Sequence, residues 1–419
     1  GQSRKAQHIC NMKQNADILI VGGGLNGCAM ALAFAGTDLN ITIVDALPVP
    51  DRKAPAFDGR SYALALASKR MLSALGLWDS LGQNAQPMLE IKASDGRAGE
   101  GPAPFFLHFD HAEIDEGPMG FMLEDRFLRH ALLDAVAAAP NITHIAGQTV
   151  TSQTVDDASA VVTLSNGQSV TARLIIGADG RGSGVAQRAK ISRTGWDYGQ
   201  TALVTAIDHA LPHNGIAHQF FMPAGPLAIL PLPGNRSSIV WSETHANAAE
   251  IQALSDEDYL TVLRPRFGDF LGEISLAGTR FSYPLSLSLA NSIIAPRVAL
   301  VGDAAHGIHP IAGQGLNLGL RDIGALAEVL IDAERRGEDF ASPLVLQRYA
   351  AWRRFDTAAL AMATDGVNKL FSNDNPILRL GRDLGMGVIN ALPGLRRGFI
   401  REAAGLSGDV PKLLQGRAI

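Results

Sequence analysis

The stretch that decides the fold is "ADILIVGGGLNGCAMALAFAG", residues 16–36. Four apolar residues, 18–21, precede a cluster of glycines, and small helix-forming residues follow the cluster. A short apolar run that ends in glycines is typical of a buried parallel strand. The stretch therefore predicts a strand, a glycine turn and a helix, in that order.

The glycine spacing Gly22-x-Gly24-x-x-Gly27 is that of a dinucleotide-binding turn. In such a turn Gly22 permits the tight bend, Gly24 lets the backbone approach a pyrophosphate, and Gly27 lets the helix lie close to the strand. The helix N-terminus then faces the phosphate with free N–H groups. The next strand-like run, "NITIVDA", ends in Asp45, where an acid that binds a ribose hydroxyl is expected. The pattern predicts a bound dinucleotide and does not separate FAD from NAD.

The same stretch is long enough to cross a bilayer, but its glycines and Asn26 argue against a membrane-spanning helix. No later stretch has the roughly 18 uninterrupted apolar residues that spanning requires. Residues 375–400, "NPILRLGRDLGMGVINALPGLRRGFI", mix apolar residues and arginines at near-helical spacing. That mixture suits a segment lying on anionic lipid, and it equally suits helices packed on the protein's own surface.

Composition narrows the class of protein further. The 419 residues carry a net charge of −5 and two cysteines. A basic nucleic-acid-binding surface and a disulfide framework are therefore not expected. The first 15 residues show no apolar core followed by a cleavage site, so no secretory signal is predicted. We expect a cytoplasmic protein, whose association with the inner face of the membrane the sequence leaves open.

The pattern along the chain predicts an α/β fold with a β-rich insert. Helices are predicted from Leu64 to Leu75, in "EDRFLRHALLDAVAAA", at about 249–266 and over 315–335, and residues 93–119 are predicted to be irregular. Asn166-Gly167 predicts a hairpin turn. The runs "IAHQFFM", "PLAILPL" and "RSSIVWS", separated by "PAG" and "PGN", predict an antiparallel meander. The tail from 345 to 412 is predicted to be mostly helical.

A second glycine-rich motif is "VALVGDAAHGIHPIAGQGLNLGLRDIGALAEVL", residues 298–330. Asp303 follows a buried strand, where its carboxylate can accept hydrogen bonds from sugar hydroxyls. The N–H groups from Gly315 to Asn317 lie at the positive end of the following helix, where they can stabilise developing negative charge.

Three smaller signals are weaker. Asp179-Gly180 in "LIIGADGRGS" ends an apolar strand and alone also fits an ordinary turn. His306 and His309 are three residues apart, but no third ligand stands nearby, so no metal site is predicted. Arg321-Asp322 is interpreted as a helix-surface or interdomain pair.

Three motifs together resemble those of class A flavin monooxygenases with the p-hydroxybenzoate hydroxylase-like fold. They are the glycine turn at Gly22–Gly27, the segment Gly177–Gly180, and Gly302–Asp322 within the second glycine-rich motif. The 298–330 motif is most similar to the ubiquinone-biosynthesis hydroxylase subgroup, which residues 58–79 and 349–374 also resemble. The resemblance extends over about residues 16–375. It implies a Rossmann-like FAD-binding domain interrupted by a mainly antiparallel β substrate domain, with C-terminal helices.

The resemblance also implies a reaction. FAD is bound without a covalent link, NAD(P)H visits to reduce it, and O2 adds to give a flavin C4a-hydroperoxide that hydroxylates a phenol ring. The expected substrate is an apolar phenol with a prenyl tail. Expected partners are a membrane surface, a second copy of the chain or a biosynthetic complex, with no nucleic acid. The alternatives are a halogenase or prenyl reductase on the same fold, although the halogenase W-x-W-x-I-P motif is absent, or a non-catalytic FAD-binding assembly subunit.

The resemblance assigns roles by position. The residues predicted to act at the flavin ring are Arg60, Pro310, Gly315 and Asn317. The residues predicted to bind the cofactor are Gly22, Gly24, Gly27, Asp45, Arg126, Asp179, Asp303, Gln314 and Leu316. Tyr283 and Pro284 are expected near the substrate or in a purely structural role.

The chain departs from the family pattern twice. The acid at position 45 is Asp where the family usually has Glu, and the arginine of the family's "ADGxxSxVR" segment is Ala186 here, with Arg188 two residues later. The predicted boundaries are 15–92, 120–192 and 285–365 for the FAD-binding domain, and 93–119 with 193–284 for the substrate domain. Residues 366–419 form the predicted C-terminal helical region.

Overall fold

The computed structural model describes residues 14–53, 56–97, 101–102, 107–113, 117–222, 224–307, 314–354 and 408–419. The strands, in chain order, are β1 (Gln14–Val21), β2 (Ile41–Asp45), β3 (Ser61–Ala65), β4 (Gln86–Met88), β5 (Glu90–Arg97), β6 (Gly101–Pro102), β7 (Leu107–Asp110), β8 (Gly120–Glu124), β9 (Ile142–Ala146), β10 (Val150–Val155), β11 (Ala160–Leu164), β12 (Ser169–Gly177), β13 (Arg193–His209), β14 (Ile216–Met222), β15 (Gly225–Leu232), β16 (Arg236–Thr244), β17 (Ile274–Leu276), β18 (Phe281–Ala290), β19 (Ile294–Ala295), β20 (Val298–Leu300) and β21 (His306–Gly307). The helices are α1 (Leu25–Leu32), α2 (Val49–Arg52), α3 (Leu66–Ala74), α4 (Trp78–Leu81), α5 (Asp125–Ala138), α6 (Gly184–Arg188), α7 (His245–Gln252), α8 (Asp256–Phe267), α9 (Gln314–Arg335) and α10, which covers 343–354.

The first sheet brings the three sequence motifs together. β1 lies between β2 and β12 and runs parallel to both, and β20 pairs in parallel with the end of β12. The four neighbouring strands therefore end at the same edge. Each motif follows one of them: the glycine turn follows β1, the Asp179 loop follows β12, and the Asp303 loop follows β20. Ligands of open α/β sheets bind outside this carboxyl edge.

The second sheet is mainly antiparallel. Its order is β21-β18-β13-β16-β15-β14-β5-β6, and the predicted meander is its β14-β15-β16 part. Only β5, among its described pairings, runs parallel to its neighbour, β14. A small third sheet has the order β3-β8-β4.

Alternation along the second sheet creates two different faces. Leu203, Leu227 and Ile229 point to one face, where they pack with Trp241 against α7 and α8. Residues between them in the sequence, among them Ala228, point to the opposite face, which borders a large cavity.

The fold class predicted from the sequence is confirmed, with local corrections. The helix over 315–335 and the Asn166-Gly167 turn are present, and Gly167 has φ +81°. The single helix expected at 249–266 is two helices, because Ser255 caps α8 by accepting a hydrogen bond from the Asp258 N–H. The prediction for Leu64 was wrong: it lies in β3, which pairs with β8.

Residues 93–119 are also more regular than expected, since they contain the end of β5, β6 and β7. The tail predicted as helical lies mostly outside the described residues. Residues 408–419 pack against α3 and α9, where Leu413 and Leu414 are buried in the core. The predicted domain boundaries stay a prediction.

Candidate active site

A cavity of about 740 Å³ lies between the carboxyl edge of the first sheet and the inner face of the second. The side of the second sheet is mostly small and apolar, although His218, Gln219 and Ser238 also line it, and the opposite side carries the charged groups. The sheet side includes Ala202, Val204, Ala217, Ala228, Leu230 and Val240; the polar side includes Arg60, Tyr62, Arg181, Asp303, Gly315, Leu316 and Asn317. Tyr283 and Pro284 line the same cavity.

The glycine turn has the geometry that the fingerprint predicts. Gly22 has φ +109°, and a Cβ there would lie 2.3 Å from the Ala178 carbonyl oxygen. A Cβ on Gly27 would lie 1.7 Å from the Gly22 carbonyl oxygen, so α1 can start here only with glycine. At Gly24 the nearest described atom to such a Cβ is the Arg52 Nη1, 3.7 Å away. Gly22 and Gly27 are thus required by the protein's own packing, whereas Gly24 leaves a surface over which a ligand can lie.

Asp45 is held in its ionised form beside this turn. Arg52 donates to both of its oxygens at 2.9 Å, and Asp45 is 1% exposed. Burial alone would raise the pKa of Asp45, but the hydrogen bonds and charge of Arg52 hold it below its ordinary value. Arg52 was not predicted as a site residue, because its loop gave no signal that it folds back onto β2.

Asp303 is exposed on the cavity side of a tight 3₁₀ turn, Gly302–Ala304. Gly302 has φ +63°, which favours glycine. Arg193 of β13 donates to the carbonyl oxygens of Asp303, at 2.9 Å, and of Ala304, at 2.5 Å. Its Nε also donates to Ser288 Oγ at 2.9 Å. A side chain of the second sheet therefore fixes the loop that presents Asp303.

The start of α9 also borders the cavity, through Gly315, Leu316 and Asn317. The Asn317 side chain is engaged elsewhere: its Oδ1 accepts from the Ala65 N–H at 2.9 Å and from Ser68 Oγ at 2.6 Å, and its Nδ2 donates to the Ala63 carbonyl oxygen at 2.8 Å. The side chain thus ties α9 to β3 and α3. What remains for the cavity is the positive end of the helix. Gln314 begins α9, and Pro310 lies outside the described residues.

In the Asp179 loop the residue that lines the cavity is Arg181, and the cofactor contact of Asp179 stays a prediction. Asp179 accepts hydrogen bonds from Ser183 Oγ at 2.5 Å and the Val185 N–H at 3.1 Å, so its carboxylate closes its own loop. Arg181, two residues later, lines the cavity and donates to the Oγ and carbonyl oxygen of Ser286 at 2.6 and 2.9 Å. The sequence placed Arg181 next to the motif but gave no sign of its direction.

Arg60 lines the cavity, and its role at the flavin ring stays a prediction. Its Nε donates to Asp58 at 2.9 Å, and its Nη2 lies 3.5 Å from the buried Asp125. Tyr62 donates its hydroxyl proton to Asp125 at 2.5 Å, and burial raises the pKa of Tyr62, so this proton stays in place at neutral pH. The Arg60 guanidinium is therefore held at the cavity by two carboxylates.

Arg126 does not line this cavity. It borders a separate space of about 230 Å³ between α4 and α5. Its Nη2 lies 3.4 Å from both Glu124 oxygens, and its guanidinium lies 4.4 Å from the centre of the Phe127 ring. Arg126 thus lies outside the cavity, and its contact with the cofactor stays a prediction.

The residues at the carboxyl edge fit a flavin dinucleotide. Gly24 leaves room for a pyrophosphate, α1 begins without a side-chain cap, and Asp303 presents its carboxylate to the cavity. Asn26 lies between Gly302 and Gly319, and its buried Oδ1 has no hydrogen-bond partner among the described residues. A buried acceptor without a protein partner is costly unless a ligand or water donates to it.

The fold and this edge define an FAD-dependent monooxygenase. A family model described as "FAD binding domain" matches residues 15–364. The chain belongs to this family.

Relatives and solved structures agree with that assignment. The chain is 45% identical to a ubiquinone hydroxylase of Rhodospirillum rubrum over 96% of this chain and 93% of the relative. It is 34% identical to the 3-demethoxyubiquinol 3-hydroxylase of Escherichia coli over 94% of this chain and 99% of the relative. The crystal structure of a p-nitrophenol 4-monooxygenase from Pseudomonas putida shares the fold, with a TM-score of 0.79 and 19% identity over 95% of this chain and 99% of that chain.

Proposed function

We propose that this protein hydroxylates the ring of a polyprenylated phenol in ubiquinone biosynthesis, using NAD(P)H and O2. The observation that carries the proposal is the two-sided cavity, with Asp303, Arg181 and the start of α9 on one side and a mostly small and apolar face of the second sheet on the other. An aromatic ring with an apolar tail suits such a wall, because burial of its apolar surface is favourable. The names of the relatives support the same substrate class.

The chain's own residues bind and orient. Bound FAD supplies the exchange of electrons with NAD(P)H and the activation of O2. We infer that Gly22, Gly24 and the start of α1 bind the pyrophosphate, and that Asp45 binds a ribose hydroxyl. Asp303 serves the sugar chain next to the flavin.

At the flavin ring, the protein stabilises charge and excludes water. The N–H groups at the start of α9 stabilise negative charge on the ring. Arg60 and Arg181 present guanidinium groups at the polar side of the cavity, and both groups are fixed by neighbouring oxygens. The mostly apolar face of the second sheet keeps water away from the reacting atoms and positions the substrate ring.

A turnover experiment tests the proposal. Purified protein loaded with FAD is supplied with a short-chain prenylphenol, NADH or NADPH, and ¹⁸O2. We expect a product that is heavier by one ¹⁸O atom, formed with consumption of one NAD(P)H. Oxidation of NAD(P)H that gives only hydrogen peroxide with every phenol offered would contradict the proposed substrate class.

We further propose that residues 375–400 contact the membrane that holds such a substrate. No helix of the described residues is long and apolar enough to cross a bilayer, and this segment lies outside them. The test is co-sedimentation of the full chain with anionic vesicles. The variant Arg396→Gln/Arg397→Gln should bind less, and Arg335→Gln/Arg336→Gln, an exposed pair at the end of α9, is the control.

Full-length variants are preferable to truncation here, because removal of the tail would also remove the buried Leu413 and Leu414. Equal binding by both double variants would exclude the segment as the anchor.

A further inference from the structure

Three charged or ionisable side chains are buried together behind the Asp303 loop. Asp322 of α9, His306 of β21 and Arg353 of α10 each have about 1% of their side chains exposed. Each buried ion costs several kcal/mol of desolvation unless it is well paired. A buried cluster of this kind indicates a specific role. The pair expected at Arg321-Asp322, on the helix surface or between domains, does not describe it, because Asp322 is buried with His306 and Arg353.

Asp322 connects three separate parts of the chain. Its Oδ2 accepts hydrogen bonds from the Gly302 N–H at 3.0 Å and from His306 Nε2 at 2.5 Å. Its Oδ1 accepts from Arg353 Nε at 2.8 Å. Burial alone would raise the pKa of Asp322, but His306 and Arg353 hold it below its ordinary value. The carboxylate is therefore ionised, and it accepts from every donor that faces it in these contacts.

Two of these three donors flank Asp303. Gly302 comes directly before Asp303, and His306 comes three residues after it. The Asp322 carboxylate therefore binds both ends of the segment 302–306. Arg193 binds the same segment from the second sheet, by donating hydrogen bonds to the carbonyl oxygens of Asp303 and Ala304. The loop is thus fixed from the helices and from the second sheet, while the Asp303 side chain is left facing the cavity.

We propose that His306, Asp322 and Arg353 form a positioning unit of the FAD site, which acts by holding segment 302–306 so that Asp303 meets the cofactor. None of the three lines the cavity in the described residues, so they act through Asp303 and the backbone beside it. The inference rests on the cofactor and on the proposed role of Asp303.

The contact between His306 and Asp322 depends on one donor of the imidazole ring. Its Nε2 lies 2.5 Å from the Oδ2 of Asp322. An ionised carboxylate can only accept, so the proton of this hydrogen bond is on Nε2. What the unit requires of His306 is a single N–H donor, and a glutamine side chain can supply one.

The experiment compares His306→Gln with His306→Met. Both variants are prepared as apoprotein, and the FAD dissociation constant is measured by quenching of flavin fluorescence. We expect binding about tenfold weaker for the Met variant, as befits the loss of one hydrogen bond to a charged group. The Gln variant should stay within about threefold of the parent. The Asp322→Asn variant should bind FAD at least as weakly as the His306→Met variant does.

Asp339→Asn is the control for loss of an Asp–Arg pair. Asp339 pairs with Arg297 at 2.6 Å, at the far end of β20. We expect a lower melting temperature for this control and an unchanged FAD dissociation constant. The proposal is overturned if His306→Gln binds FAD no better than His306→Met. It is equally overturned if Asp339→Asn weakens FAD as much as the His306 variants do.

The histidine pair keeps the test valid if Asp322→Asn does not fold. The proposed hydroxylation can fail without touching this result, because the readout is cofactor binding and not turnover.

Discussion

The loop around Asp303 is held by contacts to its backbone, and these contacts do not involve the Asp303 side chain. The turn around it is fixed through the Gly302 N–H and the carbonyl oxygens of Asp303 and Ala304. The carboxylate itself makes no hydrogen bond among the described residues and is exposed at the cavity. Its position therefore points to a ligand contact rather than to a role in folding.

This separation makes Asp303→Ala a clean test of cofactor binding. A hydrogen bond between a carboxylate and a sugar hydroxyl contributes about 1.5–3 kcal/mol, so we expect FAD to bind at least about tenfold more weakly. The melting temperature of the apoprotein should hardly change, because surface substitutions of this kind cost within about 0.5 kcal/mol. Equal FAD affinity in variant and parent, measured by fluorescence titration, would exclude Asp303 as a ligand.

At the scale of elements, the glycine turn between β1 and α1 combines two requirements that the sequence pattern does not separate. Gly27 is needed because the helix starts against the Gly22 carbonyl oxygen. Gly24 has an ordinary extended backbone, with φ −77°, and open space where its Cβ would be. One glycine therefore serves the fold and the other serves the ligand.

Two alanine substitutions should show this division. Gly24→Ala should leave the apoprotein folded with nearly the parent's melting temperature, because the new methyl group meets no described atom closer than 3.7 Å. It should weaken FAD binding strongly, because that methyl group lies where the pyrophosphate must approach. Gly27→Ala should instead lower the melting temperature or prevent folding, since its Cβ would lie 1.7 Å from an oxygen. Calorimetry and flavin titration of the two variants give the answer, and a Gly24→Ala protein that keeps full FAD affinity would contradict it.

The elements were predictable where local pattern sets them. The strand, turn and helix at 16–36 and the long helix α9 follow from apolar spacing and glycine positions. The meeting of the three motifs was also within reach, because parallel strands end at a common edge. The partners of the site residues were not: Arg52 on Asp45, Arg193 on the Asp303 loop and Arg353 on Asp322 depend on how distant segments pack. For the same reason nothing in the sequence indicated that the Asn317 side chain ties α9 to β3 and α3.

At the scale of the whole molecule, the second sheet acts as a wall with two different faces. One face is filled by α7, α8 and the buried Trp241. The other is left open by small residues in the middle of the sheet, and the cofactor edge of the first sheet closes the space opposite. Cofactor and substrate would thus be held by different layers, so the two binding steps should be separable by substitution.

Ala228 is the position at which we expect that separation. It lies in the middle of β15, between Gln219 and Val240 of the neighbouring strands, and lines the cavity. The series Ala228→Val, Ala228→Leu and Ala228→Phe adds volume to the sheet wall in steps. Each methylene of the substrate that loses its apolar contact costs about 0.8 kcal/mol, so KM for a prenylphenol should rise with side-chain size and reach at least about tenfold for Phe.

The FAD dissociation constant should stay at the parent's value throughout this series, because the added atoms lie on the layer opposite the cofactor motifs. Ile229→Leu is the control, since its side chain lies on the other face of the same strand. Steady-state kinetics and flavin titration on the same preparations decide the matter. If KM and FAD affinity change together along the series, the two layers do not divide substrate and cofactor between them.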